Sequence, residues 1–278
     1  MRNDTNAYRD IKIERTRQGI TWAIFNRPEK RNAMSPTMHL EMDRALDELA
    51  TDPATKVLVI TGAGKAFCAG QDLKLVFRAR ATMSPAEVRR ERQAAMAWRW
   101  HKLATFPKPT IAMVNGYCFG GAFTQVCAVD YVVAANDAIF GLSEVNWGII
   151  PGGIVSWNVT QVMNYRDALY YATTGDTFTG KEAKALGVVN FAVPKSRLRR
   201  ATVELAGKLM EKSPAAHRYT KEAIRAVRFM NEPQAADYLN AKSDALKHVD
   251  KERGREEGMR QFLDEKSFRP GFGSFKRS

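Results

Sequence analysis

Apolar residues cluster in short runs along the first half of the chain. "IKIERT" (11–16) and "ITWAIFN" (20–26) carry the β-rich composition of two strands joined at "RQG". Beyond them, Ser35-Pro36 forms an N-cap and first-turn pair. Met38, Leu40, Met42, Leu46 and Leu49 follow as the apolar positions of an amphipathic helix. "KVLVITGAG" (56–64) predicts a buried strand ending in a glycine turn, and residues 84–105, with Trp98 and Trp100, a long helix. "KPTIAMVNG" predicts a strand, "CFGGAFTQVCAV" a helix behind it, and "DYVVAAND" another strand. Strands and helices alternate in this way to about residue 193, which predicts a layered α/β core.

After residue 194 the strand signals fade. "KSRLRRATVELAGKLMEKS", "SPAAHRYTKEAIRAVRFMN" and "EPQAADYLNAKSDALKHVD" all have helical spacing, with Ser213-Pro214 and Glu232-Pro233 as helix starts. The expected organisation is a flexible leader (1–9), an α/β core (10–194) and a helical C-terminal region (195–278).

Composition narrows this only slightly. The chain has 278 residues, 45% hydrophobic and 26% charged, enough to bury a sizeable core. It contains no run of 18 apolar residues, and "MRNDTNAYRD" lacks the apolar stretch of a signal peptide, so a cytoplasmic protein without membrane contact is expected. Three cysteines (Cys68, Cys118 and Cys127) with no CxxC pair disfavour a disulfide framework or zinc site, and His39, His101, His217 and His248 lack metal-ligand spacing. The net charge of +13 suits an anionic partner. The basic residues are dispersed and no nucleic-acid motif accompanies them, so a phosphorylated small molecule satisfies the same charge.

The candidate chemistry lies in two glycine turns, "GKAFCAGQDLK" (64–74) and "GYCFGGAFT" (116–124), each after a strand and before a helix. Glycine permits a close backbone approach, and helix-start N–H groups are unsatisfied donors. Two such donors, from Gln71 and Gly121, aimed at one point would form an oxyanion hole, worth about 3–4 kcal/mol per donor to an enolate. The same pattern also suits plain strand-to-helix connections. Asp72 is placed to cap the helix after the first turn. Neither turn is a GxGxxG fingerprint or a Walker loop. Glu144 sits in "FGLSEVNWGIIPGG" among Leu142, Val145, Trp147 and Ile149. An apolar pocket would raise its pKa and suit it to general acid–base work, whereas an exposed strand end is the commoner fate of a glutamate. "WRWHK" (98–102) reads as packing, or as the wall of an apolar pocket.

Taken together, "FNRPEKRNAMS", "VLVITGAGKAFCAGQDLK", "IAMVNGYCFGGAF", "IFGLSEVNWGIIPGG" and "ALYYATTGDTFTGKEAKALGVVNFAVP" resemble the enoyl-CoA hydratase/isomerase (crotonase) superfamily, in family order over roughly residues 10–270. Within it the chain is most similar to the hydroxycinnamoyl-CoA hydratase-lyase branch, also called feruloyl-CoA hydratase/aldolase. "NRPEKRNAMSPT", "CFGG", "FGLSE", "NWGI" and "GREEGMRQFLDEKSFRPG" carry that likeness.

The resemblance implies a crotonase-like spiral of ββα units and C-terminal helices that build a homotrimer or a dimer of trimers. It implies an acyl-CoA thioester substrate, with CoA part of the substrate and neither cofactor nor metal. Its oxyanion donors fall on Gln71 and Gly121, in place of the methionine common at the Gln71 position. Of the two glutamates of ordinary hydratases, the first falls on Thr124 and the second on Glu144. The hydroxycinnamoyl branch likewise keeps only the second, with a serine where Thr124 stands. Cys68, Ala69, Gly70, Asp72, Val76, Gly120, Trp147, Gly148, Tyr238 and Asn240 fall at substrate-binding positions. Lys30, Arg31, Ala33 and Lys266 fall at CoA-binding ones. The two tyrosines with which the branch holds a ring 4-hydroxyl are replaced by Val76 and Asn240, and Tyr238 lies on another helical face from Asn240.

The implied reaction is hydration of an aryl enoyl-CoA followed by retro-aldol cleavage to an aldehyde and acetyl-CoA. The alternatives are hydration without cleavage on a substrate lacking that hydroxyl and, more remotely, non-catalytic binding of acyl-CoA or RNA. On the leading reading neither nucleic acid nor membrane is a partner.

Overall fold

The computed structural model describes residues 2–3, 8–78, 82–269, 271 and 273–277. Two compact units result: Met1–Phe106 with Thr110–Glu204, and Pro107–Pro109 with Leu205–Ser278.

In the first unit, β1 (Arg2–Asn3), β2 (Ile11–Arg15) and β3 (Ile20–Phe25) pair antiparallel in sequence. β4 (Val57–Gly62) joins β3 in parallel and runs on into the short β5 (Ala66–Cys68). The same move recurs twice: β6 (Thr110–Val114) leads into β7 (Tyr117–Phe119), and β8 (Tyr131–Ala135) into β9 (Ile139–Gly141). β10 (Thr177–Thr179) and β11 (Phe191–Val193) follow. The long strands form one sheet in the order β1-β2-β3-β4-β6-β8-β11, and the short ones a second in the order β10-β9-β7-β5. All six residues of β4 are buried, as a parallel strand covered on both faces requires.

Helical segments complete each repeat. α1 (Pro36–Thr51) follows β3, and Ser35 caps it, accepting from the Met38 N–H at 3.0 Å. A wide turn at Lys74–Arg78 and α2 (Pro85–Met96) follow β5, and α2 runs on through a second wide turn at Ala97–Lys102. α3 (Ala122–Ala128) follows β7. A tight turn at Ser143–Trp147, then α4 (Val155–Thr160) and α5 (Tyr165–Thr174), follow β9, and α6 (Gly180–Ala185) follows β10. Strand, short strand and helix therefore repeat as a spiral of ββα units.

Two expectations need correction here. The second sheet was not expected: β5 and β7 occupy the two glycine turns, Cys118 and Phe119 of β7 stand where "CFGGAFTQVCAV" predicts a helix, and β9 and β10 carry no strand prediction, because three residues are too few to carry a period. Leu40 is 37% exposed, while the buried stripe of α1 is Met38, His39, Met42, Ala45, Leu46 and Leu49. His39 lies at helical spacing from Met42 and Leu46, and Leu40 does not.

The second unit is helical. α7 (Leu198–Met210) crosses the boundary at Glu204/Leu205, ten residues beyond the 194/195 division expected from the change to helical spacing. α8 (Pro214–Val227), α9 (Glu232–Val249) and α10 (Gly254–Met259) follow. Asn231, rather than Glu232, caps α9, in a capping box with Gln234.

Of the expected leader, Arg2 and Asn3 pair with Arg15 and Glu14, and the Arg9 N–H donates to Glu41 Oε1 at 2.7 Å. Residues 1 and 4–7 lie outside the described residues. Among the described residues no helix is long and apolar enough to cross a membrane, and no cluster of three or more His, Cys, Asp or Glu residues could hold a metal ion.

Candidate functional site

The first glycine turn is held from below by the loop after β3. Asn32, buried and at φ 57°, donates to the Ala63 and Ala66 carbonyls at 2.9 and 2.8 Å, and its Oδ1 accepts from the Arg27 N–H at 2.9 Å. Arg27 in turn pairs with Asp72 at 3.0 Å. Asp72 Oδ1 accepts from the Leu75 N–H at 3.0 Å, so it caps the turn that follows, as expected.

Met34 and Gln71 form a parallel bridge: the Met34 N–H donates to Gly70 O at 2.8 Å, and the Asp72 N–H to Met34 O at 2.9 Å. Backbone groups alternate in direction along an extended segment, so the Gln71 N–H points away from Met34. Among the described residues, neither that N–H nor the N–H of Gly121 donates to a protein group.

The second glycine turn brings Gly121 alongside. At Gly70 (φ 88°) a Cβ would stand 3.0 Å from Phe119 O and 3.6 Å from the Gly121 nitrogen. A Cβ on Gly121 would lie 3.8 Å from Gln71 Cγ. Only a glycine at position 70 lets the two turns approach this closely. Two backbone donors without a protein partner among the described residues thus lie close together in the lining of a cleft of about 440 Å³.

Glu144 reaches the same cleft from the turn after β9. Its carboxylate packs on Gly120, and Oε2 is buried with no hydrogen-bond partner among the described residues. Burial pushes the carboxyl above the ordinary glutamate value of 4.5, against a smaller opposing pull from the residue's own backbone N–H. The arrangement pairs two donors that favour a developing oxyanion with one carboxylate suited to moving protons beside it.

Of the residues singled out in the sequence, Lys30, Arg31, Ala33, Ala69, Gly70, Gln71, Asp72, Gly120, Gly121, Glu144 and Trp147 line this cleft. Others do not. Thr124 is buried in α3, its hydroxyl without a partner among the described residues, and does not line the cleft. Cys68 is buried behind the turn, its thiol pushed up to about 12 by desolvation. Val76 is buried in the Lys74–Arg78 turn, and Gly148 (φ 69°) caps the Ser143–Trp147 turn. Tyr238 and Asn240 in α9, and Lys266, belong to the second unit. Trp98 is buried against Phe25, ring centroids 5.9 Å apart, and neither Trp98 nor Trp100 walls the cleft.

Leu73, Tyr117, Phe119 and Ser143, which the sequence did not single out, also line the cleft, as does Ile149, one of the apolar neighbours of Glu144. Tyr117 and Phe119 flank Cys118, and their period of two places both on one face of β7. The Arg31 guanidinium sits over the Tyr117 ring, 5.3 Å from its centroid.

A spiral of ββα repeats in which two backbone donors and the Glu144 carboxylate, unpaired among the described residues, line one cleft is an arrangement suited to an enzyme that stabilises an oxyanion. The enoyl-CoA hydratase/isomerase family model matches residues 15–271. A hydroxycinnamoyl-CoA hydratase-lyase of Pseudomonas fluorescens is 48% identical over 273 residues, covering 97% of this chain and 98% of that protein. A 2,3-dehydroadipyl-CoA hydratase of Escherichia coli is 30% identical, covering 75% of this chain and 79% of that one. The crystal structure of an enoyl-CoA hydratase from Bacillus anthracis superposes with a TM-score of 0.83 at 29% identity, over 92% of this chain and 97% of that chain. The chain belongs to the enoyl-CoA hydratase/isomerase family and is an enzyme of the crotonase fold.

Proposed function

We propose that the protein hydrates the double bond of a hydroxycinnamoyl-type enoyl-CoA and cleaves the product to an aldehyde and acetyl-CoA. The observation that carries this reading is the meeting of the Gln71 and Gly121 N–H groups with the Glu144 carboxylate in one cleft. The 48% identity to a hydroxycinnamoyl-CoA hydratase-lyase supports the choice of substrate and of cleavage.

The thioester oxygen accepts from the two N–H groups. Glu144 takes a proton from water, and the hydroxide adds to C3 while the π electrons move onto the thioester oxygen. The resulting enolate is held by the two donors, and Glu144 returns the proton to C2. In the second stage Glu144 deprotonates the new β-hydroxyl. Its electrons form the aldehyde carbonyl, the C2–C3 bond breaks, and the acetyl-CoA enolate takes the same place in the hole. Protonation at C2 by Glu144 restores the carboxylate and releases acetyl-CoA. A raised carboxyl pKa suits an acid and base that must act in both directions.

CoA enters as part of the substrate, and the mechanism requires neither cofactor nor metal. Lys30 and Arg31 on the rim of the cleft are suited to its phosphates. The helical second unit, by resemblance, serves a homotrimer or a dimer of trimers.

Hydration without cleavage is the second reading. The observation in its favour is the apolar, buried Val76 at a position where the branch carries a phenol-binding tyrosine. A product assay separates the two. Feruloyl-, 4-coumaroyl-, cinnamoyl- and crotonyl-CoA are supplied one at a time and the products followed by mass spectrometry. Acetyl-CoA with vanillin from feruloyl-CoA supports cleavage. A hydroxyacyl-CoA from cinnamoyl- or crotonyl-CoA, with feruloyl-CoA untouched, favours the second reading. A protein that turns over none of them and binds RNA is a binder only.

A further inference from the structure

Gln71 contributes more than its backbone. Its side-chain Oε1 lies 3.0 Å from Nε2 of His39, a fully buried residue of α1. The other ring nitrogen, Nδ1, accepts from the indole N–H of Trp98 at 3.0 Å. An indole N–H only donates, so Nδ1 carries no proton and His39 is the neutral tautomer with its proton on Nε2. Nε2–H therefore donates, and what it meets must accept. Glu91 Oε1, 3.6 Å from Nε2, is a second acceptor on that side.

The consequence reaches the cleft. Gln71 must turn its oxygen toward His39, so its NH2 faces the other way. Gln71 lines the cleft, and its amide nitrogen has no partner among the described residues and is not enclosed.

We propose that Trp98, His39 and Gln71 form a polarity-setting chain that presents the Gln71 amide NH2 to an acceptor oxygen on the acyl group of the thioester. Gln71 is then a specificity residue, and Trp98 and His39 are positioning residues that touch no substrate. This rests on the acyl-CoA reading of the cleft. The oxygen has two possible sources, a hydroxyl on the ring or an oxygen at C3 of the chain. A neutral donor of this kind discriminates by about fivefold when its partner is missing.

The test is calorimetric binding to the full-length protein of three esters that contain no double bond to hydrate: 3-phenylpropanoyl-CoA, 3-(4-hydroxyphenyl)propanoyl-CoA and 3-oxo-3-phenylpropanoyl-CoA. The wild type is expected to bind one oxygenated ester about fivefold more tightly than the plain one, and which one identifies the source. Gln71→Met keeps the backbone N–H and removes the amide; the preference is expected to vanish.

Trp98→Phe removes the indole N–H along with part of a buried ring, freeing the imidazole and then the amide to reverse. It is expected to erase the same preference while the affinity for the plain ester stays within about twofold. A merely structural role for Trp98 would weaken all three esters alike, which overturns the chain. A wild type without preference, or a preference that survives Gln71→Met, overturns the role of Gln71. Selective binding without turnover in the product assay would sink only the hydratase-lyase reading.

Discussion

The carboxylate of Glu144 rests on the bare α-carbon of Gly120: a Cβ there would stand 3.1 Å from Oε1 and 3.4 Å from Cδ. Gly120 is also at φ 52°, in the left-handed region. One residue thus holds the acid in place by having no side chain, one position before the Gly121 donor. Gly120→Ala is expected to cost about 1–2 kcal/mol of backbone strain and to displace the carboxylate. A shift of that kind is expected to lower kcat by about tenfold or more in a folded protein, read by steady-state kinetics beside circular dichroism.

Removing the charge while keeping the shape isolates the chemistry. Glu144→Gln is expected to lower kcat at least about 10²-fold with little change in binding. A mutant at the wild-type rate would remove Glu144 from the mechanism.

The pH dependence of stability carries a definite sign. Burial raises the folded pKa of Glu144 above its ordinary value of 4.5. Its contribution is therefore fully present below 4.5 and is lost as pH rises through the folded pKa. Relative to the wild type, Glu144→Gln is expected to gain stability as pH rises from 4.5 through the folded pKa, measured by urea unfolding at each pH. A constant difference across that range would mean that the carboxylate titrates as if exposed.

Thr124 stands where a second glutamate falls in ordinary hydratases, yet its hydroxyl is buried and unpaired among the described residues. An unsatisfied buried hydroxyl stabilises nothing, so Thr124→Val is expected to leave the thermal midpoint equal or higher. Thr124→Ser is expected to be tolerated, and Thr124→Ala to retain activity within about fivefold. Complete loss of turnover in a folded Thr124→Ala protein would show that the hydroxyl meets the reacting water.

Arg27 is nearly buried and joins Asp72, Asp10 and the Ala33 carbonyl beneath the first donor loop. Arg27→Met leaves two nearly buried carboxylates without that cation, a change of the kind that costs about 3–5 kcal/mol. Differential scanning calorimetry is expected to show a markedly lower midpoint, and an unchanged midpoint would show that Arg27 is dispensable to the loop.

The sequence by itself determined the long strands, the capped helices and the family. Runs such as "VLVIT" and pairs such as Ser35-Pro36 act over a few residues, where periodicity and capping are local. It also singled out Gln71, Gly121 and Glu144, because their motifs stand in family order. The short second sheet was not legible, since its three-residue strands exist only by pairing across some fifty residues of chain, as Ala66 pairs with Tyr117. Nor was the fate of single side chains. In the sequence Thr124 and Glu144 are each a single polar residue in an apolar segment, and only packing buried one away from the cleft and brought the other into it. His39 read as one isolated histidine among four, and burial between Trp98 and Gln71 gave it a fixed tautomer and a direction. Burial, hydrogen-bond polarity and pKa depend on atoms distant in sequence, and tertiary structure alone brings those atoms together.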